Sequence, residues 1–176
     1  MLEEIEKALS KFGRDVIKES KKNLAKNNDT SNLAGSLGFE SKVHANSFSF
    51  SFFMAEYGAY VDEGVRGANS SARAPNSPFR FGTGSSKIGK ANGGMSGIMA
   101  KWAQRKGFQW KNKTTGKFMS HKSMGYLIAR SIYSKGKKPT LFFTKPFQKH
   151  FDRLPDTILE KFGLDLDTFM EQTLNN

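Results

Sequence analysis

Asp62 and Glu63 are adjacent carboxylates, and His44, His121 and His150 are scattered far apart; any metal site, acid–base pair or nucleophile relay would have to be built from these side chains. Acid–base hydrolysis needs two carboxyls facing one cleft, and a metal site needs His or carboxylate ligands at helical or hairpin spacing. Two of the histidines stand in a stretch with no acid to orient an imidazole, so each reads as a surface or turn residue. Asp62-Glu63 alone falls short of a magnesium site, which draws on further oxygen ligands or a substrate phosphate. Gly82-Thr83-Gly84-Ser85-Ser86-Lys87 and Gly89-Lys90 approach a phosphate loop in composition, but the P-loop spacing fails. With no cysteine there is neither a thiolate site nor a disulfide. These features point away from an enzyme, a metal site or a cofactor.

Positive charge is abundant and unevenly placed. From Gly64 to Phe151 there are eighteen Lys or Arg and no Asp or Glu, whereas residues 1–63 carry eight basic and ten acidic side chains and residues 152–176 carry two and six. Such a block attracts polyanions, either nucleic acid or an acidic protein surface, with a strength that salt screening reduces. The plainer reading is a solvated basic face that keeps the chain soluble. The candidate partner-facing or DNA-facing residues are Arg66, Arg73, Arg80, Lys87, Lys90, Lys101, Arg105, Lys106, Lys111, Lys113 and Lys117. Phe79, Phe81, Trp102, Phe108, Trp110 and Phe118 interleave with them. That mixture suits phosphate contact with base stacking, and equally suits aromatics pinning a long loop to a core.

The elements that must position these residues are legible from periodicity. A chain of 176 residues predicts a single domain, with residues 65–120 as a basic, loop-rich insertion. Leu2, Ile5, Leu9, Phe12 and Val16 predict an amphipathic N-terminal helix, acidic at its start and lysine-rich at its end, with Gly13 a local weak point. Asn27 to Asn32 predicts its stop. Leu37, Phe39, Ser41 and Val43, then Phe48, Phe50 and Phe52, alternate as two strands joined at His44-Ala45-Asn46. A phenylalanine-rich edge invites aggregation, so the second strand is expected inside a sheet or paired with a neighbouring subunit.

Tyr57-Gly58-Ala59-Tyr60-Val61-Asp62-Glu63-Gly64 then favours a short helical turn closed by glycine. Gly64 to Gly97 reads as a long loop, Ser96 as the cap of a short helix ending at Gly107, and Ser120 as the start of a clearer helix with Met124, Leu127, Ile128 and Ile132 buried. Leu141-Phe142-Phe143 predicts a short strand before a helix at Pro146; Pro155 to Gly163 and Leu166 to Leu174 predict two further helical stretches. Together these give an α+β fold, a small antiparallel sheet packed with an N-terminal helix and C-terminal helices. No run of apolar residues is long enough to span a membrane, and Met1-Leu2-Glu3-Glu4-Ile5-Glu6 lacks the order of a secretory signal, so synthesis in a cytoplasm is expected.

Four segments, in order, resemble the tail-completion or neck proteins of tailed bacteriophages. They are the first helix running through Lys18 into Asn23-Leu24-Ala25; Ser31-Asn32-Leu33-Ala34-Gly35-Ser36-Leu37; Tyr57 to Gly64, with Glu63 one place later than usual; and Lys145-Pro146-Phe147. The resemblance covers residues 1–64 and 139–154, and the basic stretch between them is longer than the family carries. It implies a non-enzymatic α+β virion subunit that assembles as a homo-oligomeric ring around the DNA channel, a hexamer by preference or a dodecamer matching the portal. It implies other neck and tail proteins as partners, non-specific contact with phage DNA, no cofactor and no membrane, and location in the virion neck after assembly in the host cytoplasm. On this reading Phe48, Phe50, Phe52, Tyr57, Tyr60, Asp62, Glu63 and Gly64 serve the subunit interface or the packing behind it.

Overall fold

The computed structural model describes residues 3–25, 32–44, 47–82 and 94–174. The chain forms two compact units, Met1–Asp62 together with Leu141–Asn176, and Glu63–Thr140.

The first unit has the expected α+β architecture. Helix α1, Glu3–Ala25, buries Ile5, Leu9, Phe12, Val16 and Leu24 at three- and four-residue steps, with acids in its first turn and Lys22 in its last. Gly13 is also a contact: a Cβ there would stand 2.5 Å from the Phe39 ring, so only glycine lets that ring lie on the helix backbone. The residues of the expected 27–32 turn lie, except Asn32, outside the described ones. The entry to the first strand is itself helical, α2, Asn32–Ser36, where the Ser36 hydroxyl donates to Leu33 O and accepts from Ala55 N.

Strands β1, Gly38–His44, and β2, Ser47–Phe53, pair antiparallel in the register Phe39↔Phe52, Ser41↔Phe50, Val43↔Phe48. The expected phenylalanine face is therefore formed. Its turn residues Ala45 and Asn46 lie outside the described ones. The sheet holds only these two strands among the described residues, so of the two expected settings for β2 the one inside a larger sheet is not formed there: among those residues β2 is an edge.

Phe12, Phe39, Phe50, Phe52, Phe143 and Phe147 form one aromatic cluster between α1, the sheet and the C-terminal helices, with ring centroids 4.8 to 6.4 Å apart in mostly edge-on contacts. Such pairs contribute about 0.5–1.5 kcal/mol each beyond burial. A second cluster joins Leu24, Leu33, Leu37 and Phe142, with Ile17, Met54, Val61 and Phe143 against it. Leu141-Phe142-Phe143 is a turn and not a strand, because Leu141 has φ 51°, a left-handed value that no ladder continues. The turn leads into α6, Thr144–Phe151. Beyond it α7, Leu154–Leu174, runs through Gly163 without a stop, merging two stretches that the sequence separates. Its side chains after Leu164, including Leu166, Phe169, Met170 and Leu174, lie outside the described ones.

In the second unit β3, Val65–Arg66, pairs antiparallel with β4, Gly136–Lys137. Helix α4, Gly94–Arg105, begins before Ser96, so Ser96 lies within it rather than capping it. Helix α5, His121–Lys135, has the predicted Ser120 cap, whose side chain accepts from Ser123 N, and the predicted stop at Gly136, whose N–H donates to Ile132 O. Met124 is buried as expected, but Leu127 is exposed, and Gly125 and Ala129 take the buried positions. Small residues win there because α4 crosses closely: a Cβ on Gly125 would stand 2.5 Å from Ala100 N.

Candidate functional site

Two places collect the residues singled out by sequence: the Tyr57–Gly64 corner and the basic second unit. The corner contains α3, Gly58–Asp62, the predicted helical turn. Tyr57 and Tyr60 are 46% and 47% exposed, so half of each ring remains at the surface of the first unit. Asp62 points inward and is buried. Its carboxylate accepts from the backbone N–H of Phe143 at 2.8 Å and of Thr144 at 3.4 Å, and from the Thr144 hydroxyl, while its backbone carbonyl accepts from Leu141 N at 3.0 Å. These bonds satisfy the first orphan donors of α6, and the negative charge lies at the positive end of that helix. Sequence reasoning places Asp62 in the motif but not in this role, because its partners lie 81 and 82 residues away.

Glu63 is exposed, and Gly64 has φ 73° with Ser77 Oγ donating to its carbonyl at 2.8 Å. A side chain at Gly64 would meet Lys137 O and Pro139 N at 2.6 Å, which is the physical reason the motif closes on glycine. On the sheet, Phe50 and Phe52 are half-buried in the aromatic cluster, whereas Phe48 and, on the opposite face, Phe53 are 49% and 56% exposed.

The basic residues divide into two sets. Arg66, Arg73 and Arg80 belong to the 64–82 segment and turn toward their own unit. Arg73 Nη1 donates to Gly136 O and Arg80 Nη2 to Ala68 O, while Arg66 Nε is buried with its backbone bonded to Phe79 and Phe81. Lys101, Arg105, Lys106, Lys111, Lys113 and Lys117 are exposed on α4 and on the hairpin that follows it. Lys87 and Lys90 lie outside the described residues. Among the aromatics Phe81 packs on Tyr133 and Trp102 on Phe108, while Phe108, Trp110 and Phe118 are 40%, 42% and 62% exposed.

The structure also brings together a group the sequence did not suggest. Lys149 Nζ and His150 Nε2 both lie 2.9 Å from Glu19 Oε2 and hold its carboxyl below the ordinary carboxylate value, Lys149 more than His150. Its signal was a face match between α1 and α6 that no local pattern encodes. Among the described residues no three His, Asp or Glu side chains gather as a metal site would require. No helix among them is long and apolar enough to cross a membrane. Comparison with family models, curated proteins and solved structures gives no match to this chain.

Proposed function

We propose that this chain is a structural virion protein of a tailed bacteriophage, a head-to-tail joining or tail-completion subunit that assembles as a ring around the DNA channel, a hexamer by preference. It runs no reaction of its own. The observation that carries this reading is that the described parts of the four segments bearing the resemblance, the third as far as Asp62, meet in the first unit. Leu24, Leu33 and Leu37 share one cluster with Val61 against it, Asp62 bonds the start of α6, and Phe147 of that helix packs on Phe12 of α1. The basic stretch outside the resemblance folds as a separate compact unit. A sheet with no third strand among the described residues, and the half-exposed Phe48, Phe53, Tyr57 and Tyr60, supply the apolar and aromatic surface that subunit interfaces bury.

Light scattering and negative-stain images of the purified protein, with labelling of virions, test the proposal. A closed ring in solution and density in the neck are expected; a monomer absent from the neck ends the reading. Because Glu63 is exposed, Glu63→Ala is expected to lower the ring fraction while leaving the melting curve of the subunit within about 0.5 kcal/mol of the parent, as a surface change does. Joint loss of ring and fold would show instead that Glu63 serves the interior.

A further inference from the structure

The hairpin from Phe108 to Met119 is a built structure on the basic unit, and its tip and flanks carry no role in the reading above. Met119 N donates to Trp110 O at 2.8 Å and Asn112 N to Lys117 O at 2.9 Å, which makes Lys111 and Phe118 a directly opposed pair without hydrogen bonds between them. Side chains approach most closely in that kind of pair. Lys111 Nζ accordingly lies 5.2 Å from the centre of the Phe118 ring. The tip is locked by Asn112, whose Oδ1 accepts from Thr114 N at 2.8 Å and Thr115 N at 3.3 Å, and whose carbonyl accepts from Gly116 N. The base is fixed to α4, with Phe108 N bonded to Ala103 O and the Phe108 ring 5.1 Å from Trp102.

On this frame Trp110 and Phe118 are 42% and 62% exposed; the pairing sets Phe118 with Lys111 on one face of the hairpin and Trp110 with Lys117 on the other, Lys113 lies at the tip, and no acid occurs in the sequence from Gly64 to Phe151. We propose that the Trp110–Phe118 hairpin is a binding element for single-stranded nucleic acid, the rings stacking on unpaired bases and the three lysines neutralising adjacent phosphates. An acidic peptide fits less well, because the face of an aromatic ring is its negative side and repels a carboxylate while it stacks on a base. A duplex fits less well too, since its bases are already stacked on each other. The inference goes beyond ring assembly and does not depend on it.

The test uses the full chain with Trp102→Phe, which leaves Trp110 as the only tryptophan, titrated with oligothymidylate. Quenching of Trp110 emission is expected. Trp110→Ala and Phe118→Ala, read with a labelled oligonucleotide, are each expected to weaken binding on the order of tenfold, and Phe118→Tyr to retain it. Replacing Lys111, Lys113 and Lys117 with Gln is expected to flatten the log–log salt slope by about 2. Far-UV circular dichroism of each variant keeps folding apart from binding. Absence of quenching, unchanged affinity in both aromatic variants, equal affinity for a duplex of the same length, or equally effective competition by polyglutamate would each overturn the proposal. A monomer that binds oligothymidylate through this hairpin would overturn the ring reading alone; a ring that does not bind would overturn this one alone.

Discussion

Asp62 illustrates how a motif residue acquires its meaning from a distant segment. With its carboxylate buried among three donors at the start of α6, truncation leaves those donors unsatisfied inside the protein. Asp62→Ala is therefore expected to destabilise the first unit by about 1–3 kcal/mol in urea unfolding, with Asp62→Asn closer to the parent because it keeps an acceptor. Glu19 makes a weaker, partly solvated link between α1 and α6. Its carboxyl is held below the ordinary value by Lys149 and then His150, so the stabilisation is fully present above the unfolded-state value and fades as pH falls through the lower, folded one. Glu19→Gln is expected to lower stability by about 0.5 kcal/mol at neutral pH, after allowance for screening, and the difference should narrow once acid takes the pH below the ordinary Glu value of about 4.3. Urea midpoints at the two pH values check both parts.

Among the elements, α7 carries the plainest prediction. Gly163 sits in mid-helix, exposed, with nothing within 4 Å of an added Cβ. Gly163→Ala is expected to stabilise the chain by about 0.5–1 kcal/mol, read as a rise in the thermal midpoint. The glycine reads as a stop in sequence because glycine commonly ends helices, yet here the helix continues through it. Helix α1, the phenylalanine hairpin, the α3 turn and α5 were legible because each repeats at its own period and carries its own punctuation. The segment Leu141 to Phe143 was misread as a strand because three apolar residues look the same in a strand and in a buried turn. What separates them is the left-handed backbone of Leu141 and the burial of Phe142 against Leu24, Leu33 and Leu37, both long-range facts. Gly13 and Gly125 were opaque for a similar reason: each makes room for a particular neighbour, Phe39 and the α4 backbone, that local sequence does not identify.

At the scale of the molecule, charge and fold divide together at the last acid of the first half, and most of the basic run falls in the second unit. The unit Glu63–Thr140 holds sixteen basic residues and one acid, and the remainder of the chain twelve basic and fifteen acidic. The abrupt end of the acids after Glu63 was visible in the sequence; that the basic stretch closes on its own pair of short strands was not, because β3 and β4 are two residues each and lie far apart along the chain. Leu141 N, where the backbone re-enters the first unit, is hydrogen-bonded to Asp62 O, where it leaves. Departure and return thus occupy one doorway. Evolution can lengthen, exchange or remove whatever hangs from that doorway without asking the host scaffold to rearrange, so related scaffolds carrying a different passenger, or only a tight turn, are architecturally accessible.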